Sequence, residues 1–163
     1  MRAAVLALAP LAGWVLAVML IRRRYLVVVV QGASMTPTLS DGDRVLVRRC
    51  PLVQVHTRQL VVTGRPTGKR WEGMRMAEWV IKRAAAVPGD LVPKEGAPAL
   101  RDLPEHRVPE GRIVLLGDNP ADSLDSRFCG YFRSEQIVGV VVRTLPPDAS
   151  RTVRSSARRG HDG

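Results

Sequence analysis

Two side chains of this 163-residue sequence have types and settings that suit nucleophilic chemistry. Ser34 follows a hydrophobic run and opens a turn that Pro37 stiffens, and such a junction can present a side chain at the edge of a fold. Lys82 is one of only three lysines beside 22 arginines, and it stands next to apolar Ile81 and shortly before the run Ala84 to Val87. In apolar surroundings a lysine can lose its proton and act as a general base, whereas an arginine keeps its charge.

Taken alone, each of these side chains also has a plain structural explanation. A serine before a turn more often caps or closes that turn. Lys82 fits equally well a lysine whose aliphatic stem lies on an apolar surface while its amine reaches solvent. Other motifs are incomplete. His56, His106 and His161 lack a carboxylate or a second histidine at ligand spacing, so neither a zinc site nor a Ser-His-Asp triad is supported.

Two further patterns also fall short. Residues 64–70 resemble a phosphate loop but have three residues rather than four between the glycines, and Arg70 where a hydroxyl must meet magnesium. Cys50 and Cys129 are too few for a disulfide framework or a four-cysteine zinc site. One disulfide between them stays an open alternative.

Short strands are the elements that must position any site in this chain. The stretch from Glu78 to Val87 predicts a helix on propensity alone. Pro146 and Pro147 close the last strand, and the polar residues 147–163 predict a disordered tail. Runs of β-branched or alternating residues, separated by Pro, Gly, Asn and Asp turn signals, predict strands at Tyr25 to Val30, Arg44 to Arg48, Gln59 to Thr63, Arg112 to Leu116 and Ile137 to Arg143.

The charge distribution argues against a nucleic-acid-binding protein. The chain carries a formal net charge of +10, of which residues 1–24 hold +4 and residues 148–163 hold +2. The body between them therefore has a small excess of positive charge, with no basic run that resembles a groove for phosphates. The sequence has only seven aromatic residues, too few to build stacking platforms for single strands.

The N-terminal segment predicts a membrane anchor. Ala3 to Ile21 is a run of nineteen uncharged residues, which at about 1.5 Å of rise each nearly spans the hydrocarbon core of a bilayer. A cleaved signal peptide with a site at Ala7-Leu8-Ala9 is the rival interpretation, and a buried helix of the soluble body is the third. Arg22 to Arg24 would place the body on the cytoplasmic side by the positive-inside tendency.

Four segments in order resemble the signature boxes of the type I signal peptidases, which are membrane-bound Ser-Lys proteases. Each segment alone is a weak match, and together they extend over residues 32–127. They read GASMTPTL from Gly32, DGDRVLV from Asp41, VIKRAAAVPGD from Val80 and GDNPADSLDSR from Gly117.

This resemblance implies a role for each matched residue. Ser34 corresponds to the nucleophile and Lys82 to its general base, and Ser123 corresponds to the hydroxyl that orients the lysine amine. Gly32 stands where some members have a serine that completes the oxyanion hole, so a hydroxyl is missing there. The supporting charges that hold the last box around the lysine correspond to Asp118, Arg83, Asp125 and Arg127.

The resemblance also implies the fold: a mainly β protein with two antiparallel sheets, preceded by one N-terminal transmembrane helix. It makes the Lys82 segment a strand rather than a helix, and it places the body outside the cytoplasm, against the arginine triplet. The expected organisation is a membrane anchor with its Arg flank at residues 1–24, a catalytic β domain at residues 25–146 and a disordered tail at residues 147–163.

The function implied is that of a single-pass, cell-membrane serine endopeptidase that removes N-terminal leader peptides from exported proteins after small residues. Its partners would be precursor proteins and the lipid bilayer, with no nucleic acid, no metal, no cofactor and a monomeric state. One alternative within the family is a dedicated maturation protease for a single precursor, such as a metalloenzyme, a peptide or a pilin. Outside it stand a self-cleaving, repressor-like regulator and an inactive anchored binding module.

Overall fold

The computed structural model describes residues 14–15, 17–64 and 78–146 of the chain. Residues 17–24 are helical, and seven strands follow with only short helical turns between them. The strands are β1 (Tyr25–Val29), β2 (Arg44–Arg49), β3 (Leu60–Gly64), β4 (Trp79–Ala86), β5 (Arg112–Leu116), β6 (Phe132–Arg133) and β7 (Ile137–Leu145). The helices are α1 (Pro98–Arg101) and α2 (Ser126–Cys129), with 3₁₀ turns at Leu52–Gln54, Pro120–Asp122 and Ser134–Gln136.

The predicted mainly β fold is confirmed, and the segment from Glu78 to Val87 is strand β4 rather than the helix that propensity predicts. β4 pairs antiparallel with β3 on one side and β5 on the other. Lys82, Ala84 and Ala86 alternate along it and are all buried. Ladder pairing and burial on a central strand outweigh the weak helical preference of three alanines.

The predicted division into two antiparallel sheets is not confirmed, since β7 joins the described strands into one seven-stranded sheet. The strand order is β1-β2-β7-β3-β4-β5-β6. Residues 139–145 of β7 pair with β2, and residues 137–140 pair with β3. A strand of nine residues is long enough to serve two neighbours in this staggered way.

Three clusters of buried apolar side chains hold the sheet in place. One of them includes Val28, Met35, Leu39 and Ile81, so it packs the turn after β1 against β4. Met35 and Leu39 are only 1% and 2% exposed. Burial of these two side chains fixes the path of the turn that carries Ser34.

The predicted terminal segments lie largely outside the described residues. Most of the anchor expected at residues 1–24, the phosphate-loop-like segment at 65–70 and all of the tail at 147–163 belong to this undescribed part. Within the described ranges, no helix has both the length and the hydrophobicity to cross a membrane. The boundaries of the three predicted regions therefore stay predictions.

Gly139 provides a test of this junction because it lies where β7 pairs with both β2 and β3. It faces Arg49 on one side and Val62 on the other. A Cβ atom at position 139 would collide with the carbonyl group of Arg48 and lie 2.9 Å from the Cα of Arg49. Since both atoms belong to the backbone of β2, no side chain can move aside.

We therefore expect Gly139→Ala to lower the free energy of unfolding by about 2 to 3 kcal/mol, as measured in urea. Gly64→Ala is the matched control, since the added Cβ at that strand position would meet only the carbonyl oxygen of Gln136, at an ordinary 3.7 Å. A Gly139→Ala protein as stable as Gly64→Ala would contradict the role given to this junction.

Candidate active site

The turn between β1 and β2 carries Ser34 and is closed by backbone hydrogen bonds. The Thr36 N–H donates to the Ala33 carbonyl at 3.1 Å, and the Leu39 N–H donates to the Met35 carbonyl at 2.9 Å. The base of the turn is closed by the Val30 N–H, which donates to the Asp43 carbonyl at 2.8 Å. The Ser34 side chain is therefore held by a hydrogen-bonded turn above a packed apolar cluster.

Lys82 reaches this hydroxyl from β4. Its Nζ donates to the Ser34 Oγ at 2.7 Å, although the two residues are 48 positions apart in the chain. The lysine is only 2% exposed, whereas Ser34 is partly accessible. A buried amine thus lies within hydrogen-bonding distance of an accessible hydroxyl.

Burial also changes the proton affinity of the amine. Desolvation lowers the pKa of Lys82 below the ordinary lysine value, because the apolar surroundings disfavour the ammonium form. The nearby charge of Asp125 opposes this shift of the pKa, and the charge of Arg127 adds to it. An amine that is neutral more readily than in water can take a proton from the serine hydroxyl that it contacts.

The segment between β5 and α2 packs directly against the Ser34 turn. A Cβ atom at Gly117 would collide with the Ser123 side chain and lie 2.7 Å from the Ser34 carbonyl oxygen. Only glycine at this position permits so close an approach between the two segments. The resemblance assigns no role to Gly117, and only this geometry reveals one.

Asp125 organises that segment through four hydrogen bonds. Its carboxylate accepts from the Gly117 N–H at 2.7 Å, from the Ser123 hydroxyl at 2.6 Å, and from both the backbone N–H and the guanidinium of Arg127, at 3.0 and 2.9 Å. The side chain of Asp125 is completely buried, so these donors replace water around its charge. Arg127 also donates to the Gly117 carbonyl at 3.2 Å.

Ser123 lies beside the pair but makes a different contact from the expected one. The resemblance implies that its hydroxyl orients the lysine amine, whereas in the structure this hydroxyl donates to Asp125. The hydrogen bond of Lys82 goes to Ser34 instead. Ser123 is 5% exposed and close to Gly117, so it packs where the segment approaches the Ser34 turn.

Asp118 and Arg83 form a second polar cluster on the other side of the turn. The Asp118 carboxylate accepts from the Nε of Arg83 at 2.8 Å and from its Nη2 at 2.5 Å, and the Thr38 hydroxyl donates to it at 2.5 Å. The hydrogen bond from Arg83 is the largest cause of a lowered pKa of Asp118. This cluster ties the Ser34 turn to β4, one residue beyond Lys82.

Gly32 has a backbone conformation that only glycine adopts easily. Its φ is +82°, and a Cβ atom there would meet nothing within 4 Å. Its N–H donates to the Asp41 carboxylate at 2.8 Å. The sequence argument gave Asp41 no role, although the residue lies within the second matched segment.

An open groove of about 200 Å³ runs past the Ser34 hydroxyl. Residues 29–35 and residues 79–82 form its walls, together with Asp122 and Leu124. Its lining is mostly apolar and includes Ala33, Met35 and Ile81. Such a groove can take an extended chain with small side chains. Among the described residues, no cluster of His, Cys, Asp or Glu could hold a metal ion.

The lowered pKa of Lys82 makes a prediction about stability. The unfolded chain binds a proton to Lys82 up to about pH 10.4, whereas the folded chain releases it at lower pH. The unfolded state therefore holds more protons in this window, and the free energy of unfolding rises with pH there. Below the window, the folded protein bears the full cost of a buried ammonium.

We expect Lys82→Met to be more stable than the wild type at neutral pH, by about 1 kcal/mol or more, with a difference that shrinks as the pH approaches 10. Urea unfolding at a series of pH values measures both effects. Ser34→Ala is the control, because it keeps the buried amine and therefore the pH dependence. Parallel curves for the wild type and Lys82→Met would contradict the lowered pKa.

Comparison with known proteins agrees with this geometry. The family model described as signal peptidase, peptidase S26, matches residues 2–101 and 94–145. The chain is 30% identical over 125 residues to the "Probable signal peptidase I-1" of Synechocystis sp., covering 65% of this chain and 63% of that protein. It is 30% identical over 135 residues to signal peptidase I of Leptolyngbya laminosa, covering 69% and 65%.

A third relative is signal peptidase IB of Staphylococcus aureus strain COL, with 29% identity over 152 residues, 69% of this chain and 73% of that protein. The chain therefore matches less than two thirds of the length of the first two relatives. The family model, by contrast, extends over both Ser34 and Lys82 and over every strand of the sheet. On this match, the chain belongs to the signal peptidase family, peptidase S26.

Proposed function

We propose that this protein is a serine endopeptidase of the signal peptidase I type, which removes N-terminal signal peptides from exported proteins. The observation that carries the proposal is the 2.7 Å hydrogen bond between the buried Lys82 amine and the Ser34 hydroxyl. A serine needs a base to become a nucleophile, and Lys82 supplies one without a histidine.

In the first half of the reaction, neutral Lys82 takes the proton from the Ser34 Oγ as the oxygen attacks the scissile carbonyl carbon. The tetrahedral intermediate collapses when the ammonium of Lys82 gives its proton to the leaving amine of the mature protein. The C–N bond breaks and the signal peptide remains bound to Ser34 as an ester. In the second half, Lys82 deprotonates a water molecule that hydrolyses this ester and restores the hydroxyl.

The negative charge on the carbonyl oxygen of the intermediate requires hydrogen-bond donors. The Ser34 N–H is one donor, because a backbone amide at the nucleophile is fixed in place before the reaction begins. Gly32 offers no hydroxyl, and its own N–H already donates to Asp41. The oxyanion hole of this protein therefore depends on backbone groups of the turn and on water.

The remaining matched residues act through position. Asp125 and Arg127 hold the segment with Ser123 against Lys82, while Asp118 and Arg83 tie the turn to β4. Asp125 and Arg127 also lie close to the Lys82 amine, where the charge of Asp125 raises the lysine pKa and the charge of Arg127 lowers it. Burial is nevertheless the largest cause of the lowered pKa of Lys82.

The groove supports recognition of a small-residue cleavage site. β1 is an edge strand of the sheet, so an extended peptide could pair with the backbone that follows it. Such a peptide would place small side chains against Met35 and Ile81 in the groove. Because the groove offers only about 200 Å³, it favours small side chains over large ones. The preferred sequence before the cut would thus be Ala-x-Ala-like.

Attachment to the cell membrane, with the catalytic body outside the cytoplasm and acting as a monomer, is part of the proposal. It is supported by the uncharged run from Ala3 to Ile21 and by the exposed apolar side chains of Trp14, Leu20 and Ile21 at its described end. An anchor so close to β1 would hold the groove near the bilayer, from which signal peptides emerge.

The dyad can be tested with a preprotein that bears an Ala-x-Ala site. We expect the detergent-solubilised wild type to cut after the small residue, and Ser34→Ala and Lys82→Met to lose more than about 10³-fold in rate, as measured by mass spectrometry of the products. Cleavage that survives in Ser34→Ala would overturn the mechanism. If the wild type does not cleave this preprotein, the proposal of a general signal peptidase is wrong, and a dedicated protease for one precursor is favoured.

The pH dependence of cleavage reports the base directly. Only the neutral amine of Lys82 is active, so kcat/KM should rise about tenfold per pH unit until the lowered pKa is reached and then level off. Arg127→Gln removes a cation that lowers this pKa, so it should move the midpoint to higher pH. A midpoint that stays in place, or moves to lower pH, would contradict the role of Lys82.

A further inference from the structure

Asn119 holds the Ser34 turn at two consecutive carbonyl groups. Its side-chain Nδ2 donates to the Ala33 carbonyl oxygen at 3.2 Å, and its backbone N–H donates to the Ser34 carbonyl oxygen at 3.0 Å. Nδ2 also donates to the Asp122 carboxylate at 3.0 Å, so both of its hydrogens are used. Asn119 is 86 positions from Ala33 in the chain, and these bonds join two separate segments.

The bond to Ala33 fixes the direction of the Ser34 N–H. The Ala33 carbonyl and the Ser34 N–H belong to one planar peptide group, and in a trans peptide they point in opposite directions. The Ala33 oxygen accepts from both Asn119 and Thr36, which occupies both lone pairs. The plane is therefore pinned on its carbonyl side, while its N–H side is aimed away from the segment that carries Asn119.

The Ser34 N–H is available for a ligand. Within residues 17–64 and 78–146, no acceptor takes this N–H, whereas the Gly32 N–H is occupied by Asp41. Hydrogen bonds to a peptide carbonyl also polarise the group and strengthen its N–H as a donor. The Ser34 N–H is thus both oriented and strengthened by a residue that never touches the substrate.

We infer that Asn119 is a positioning residue for the oxyanion hole: its side-chain amide orients the Ala33–Ser34 peptide so that the Ser34 N–H stabilises the transition state. This orientation matters because residue 32 is a glycine, so no hydroxyl at position 32 assists the Ser34 N–H. The inference rests on the proposed peptidase function. Asn119 acts on the stabilisation of the oxyanion, and Lys82 acts on the transfer of the proton.

Asn119→Ala and Asn119→Leu test this inference in the solubilised protein. Both remove the donor to Ala33 without adding a charge, and the leucine keeps nearly the size of the side chain. Loss of a whole oxyanion donor costs about 10² to 10³ in kcat, so a misdirected donor should cost roughly tenfold. We expect this loss in kcat, with KM within about twofold and with an unchanged midpoint of the pH profile.

The affinity for a peptide aldehyde separates this role from general support of the turn. The aldehyde forms a tetrahedral adduct with Ser34, so its affinity should fall by about the same factor as kcat, whereas the affinity for the cleaved signal peptide should not change. Asp43→Ala is the matched control, because it removes the acceptor of the Ser40 N–H in the same turn and involves neither the Ala33–Ser34 peptide nor the groove. Its ratio of aldehyde to product affinity should equal that of the wild type.

Each other outcome overturns the inference. A rise in KM at constant kcat would show a role in substrate binding, and a shifted pH midpoint would show a role at Lys82. An equal loss in Asp43→Ala, with lowered thermal stability in both proteins, would show that Asn119 only supports the fold of the turn. These results leave the peptidase function standing if the wild type cleaves, whereas an inactive wild type overturns the function and the inference together.

Discussion

A buried amine that contacts an accessible hydroxyl is the constraint on which this protein depends. An ammonium group strongly prefers water, and burial in apolar surroundings lowers the pKa of Lys82. β4 supplies that environment because it is paired on both sides, so the Lys82 side chain emerges from the middle of the sheet. The amine is fixed by its place on β4, so the turn after β1 must position the Ser34 hydroxyl next to it. The buried side chains of Met35 and Leu39 hold that turn in place.

The segment from Gly117 to Arg127 completes the site by meeting both partners at once. Its charges are compensated inside the segment, since Asp125 is fully buried and surrounded by donors. A buried carboxylate without these donors would attract a proton or keep Lys82 charged. The absence of a side chain on Gly117 lets the segment approach the backbone of Ser34. The hydrogen bonds of Asp125 and the absence of a Cβ on Gly117 therefore both allow this segment to pack against the Ser34 turn.

Much of the fold and of the candidate site follows from sequence patterns, and the remainder depends on pairing across long distances. β-branched runs indicated the strands, and an isolated lysine among arginines indicated Lys82. Propensity misjudged β4, because alanine prefers helices while pairing with two neighbours decides the outcome. The single sheet could not be foreseen, since nothing local shows that β7 pairs with both β2 and β3. The contacts of Ser123 and Asn119 were equally out of reach, because they depend on how the loop lies against a turn far away in the chain.

The position of β7 also affects how Ser34 and Lys82 come together during folding. Ser34 follows β1 and Lys82 lies on β4, and in the sheet these two halves are connected through β7, the last of the described strands. A nascent chain that has not yet reached residue 145 has no complete ladder between the halves. The contact between Ser34 and Lys82 therefore depends on pairing between strands that are far apart in the sequence, and local folding of the Ser34 turn alone does not bring the hydroxyl to the amine.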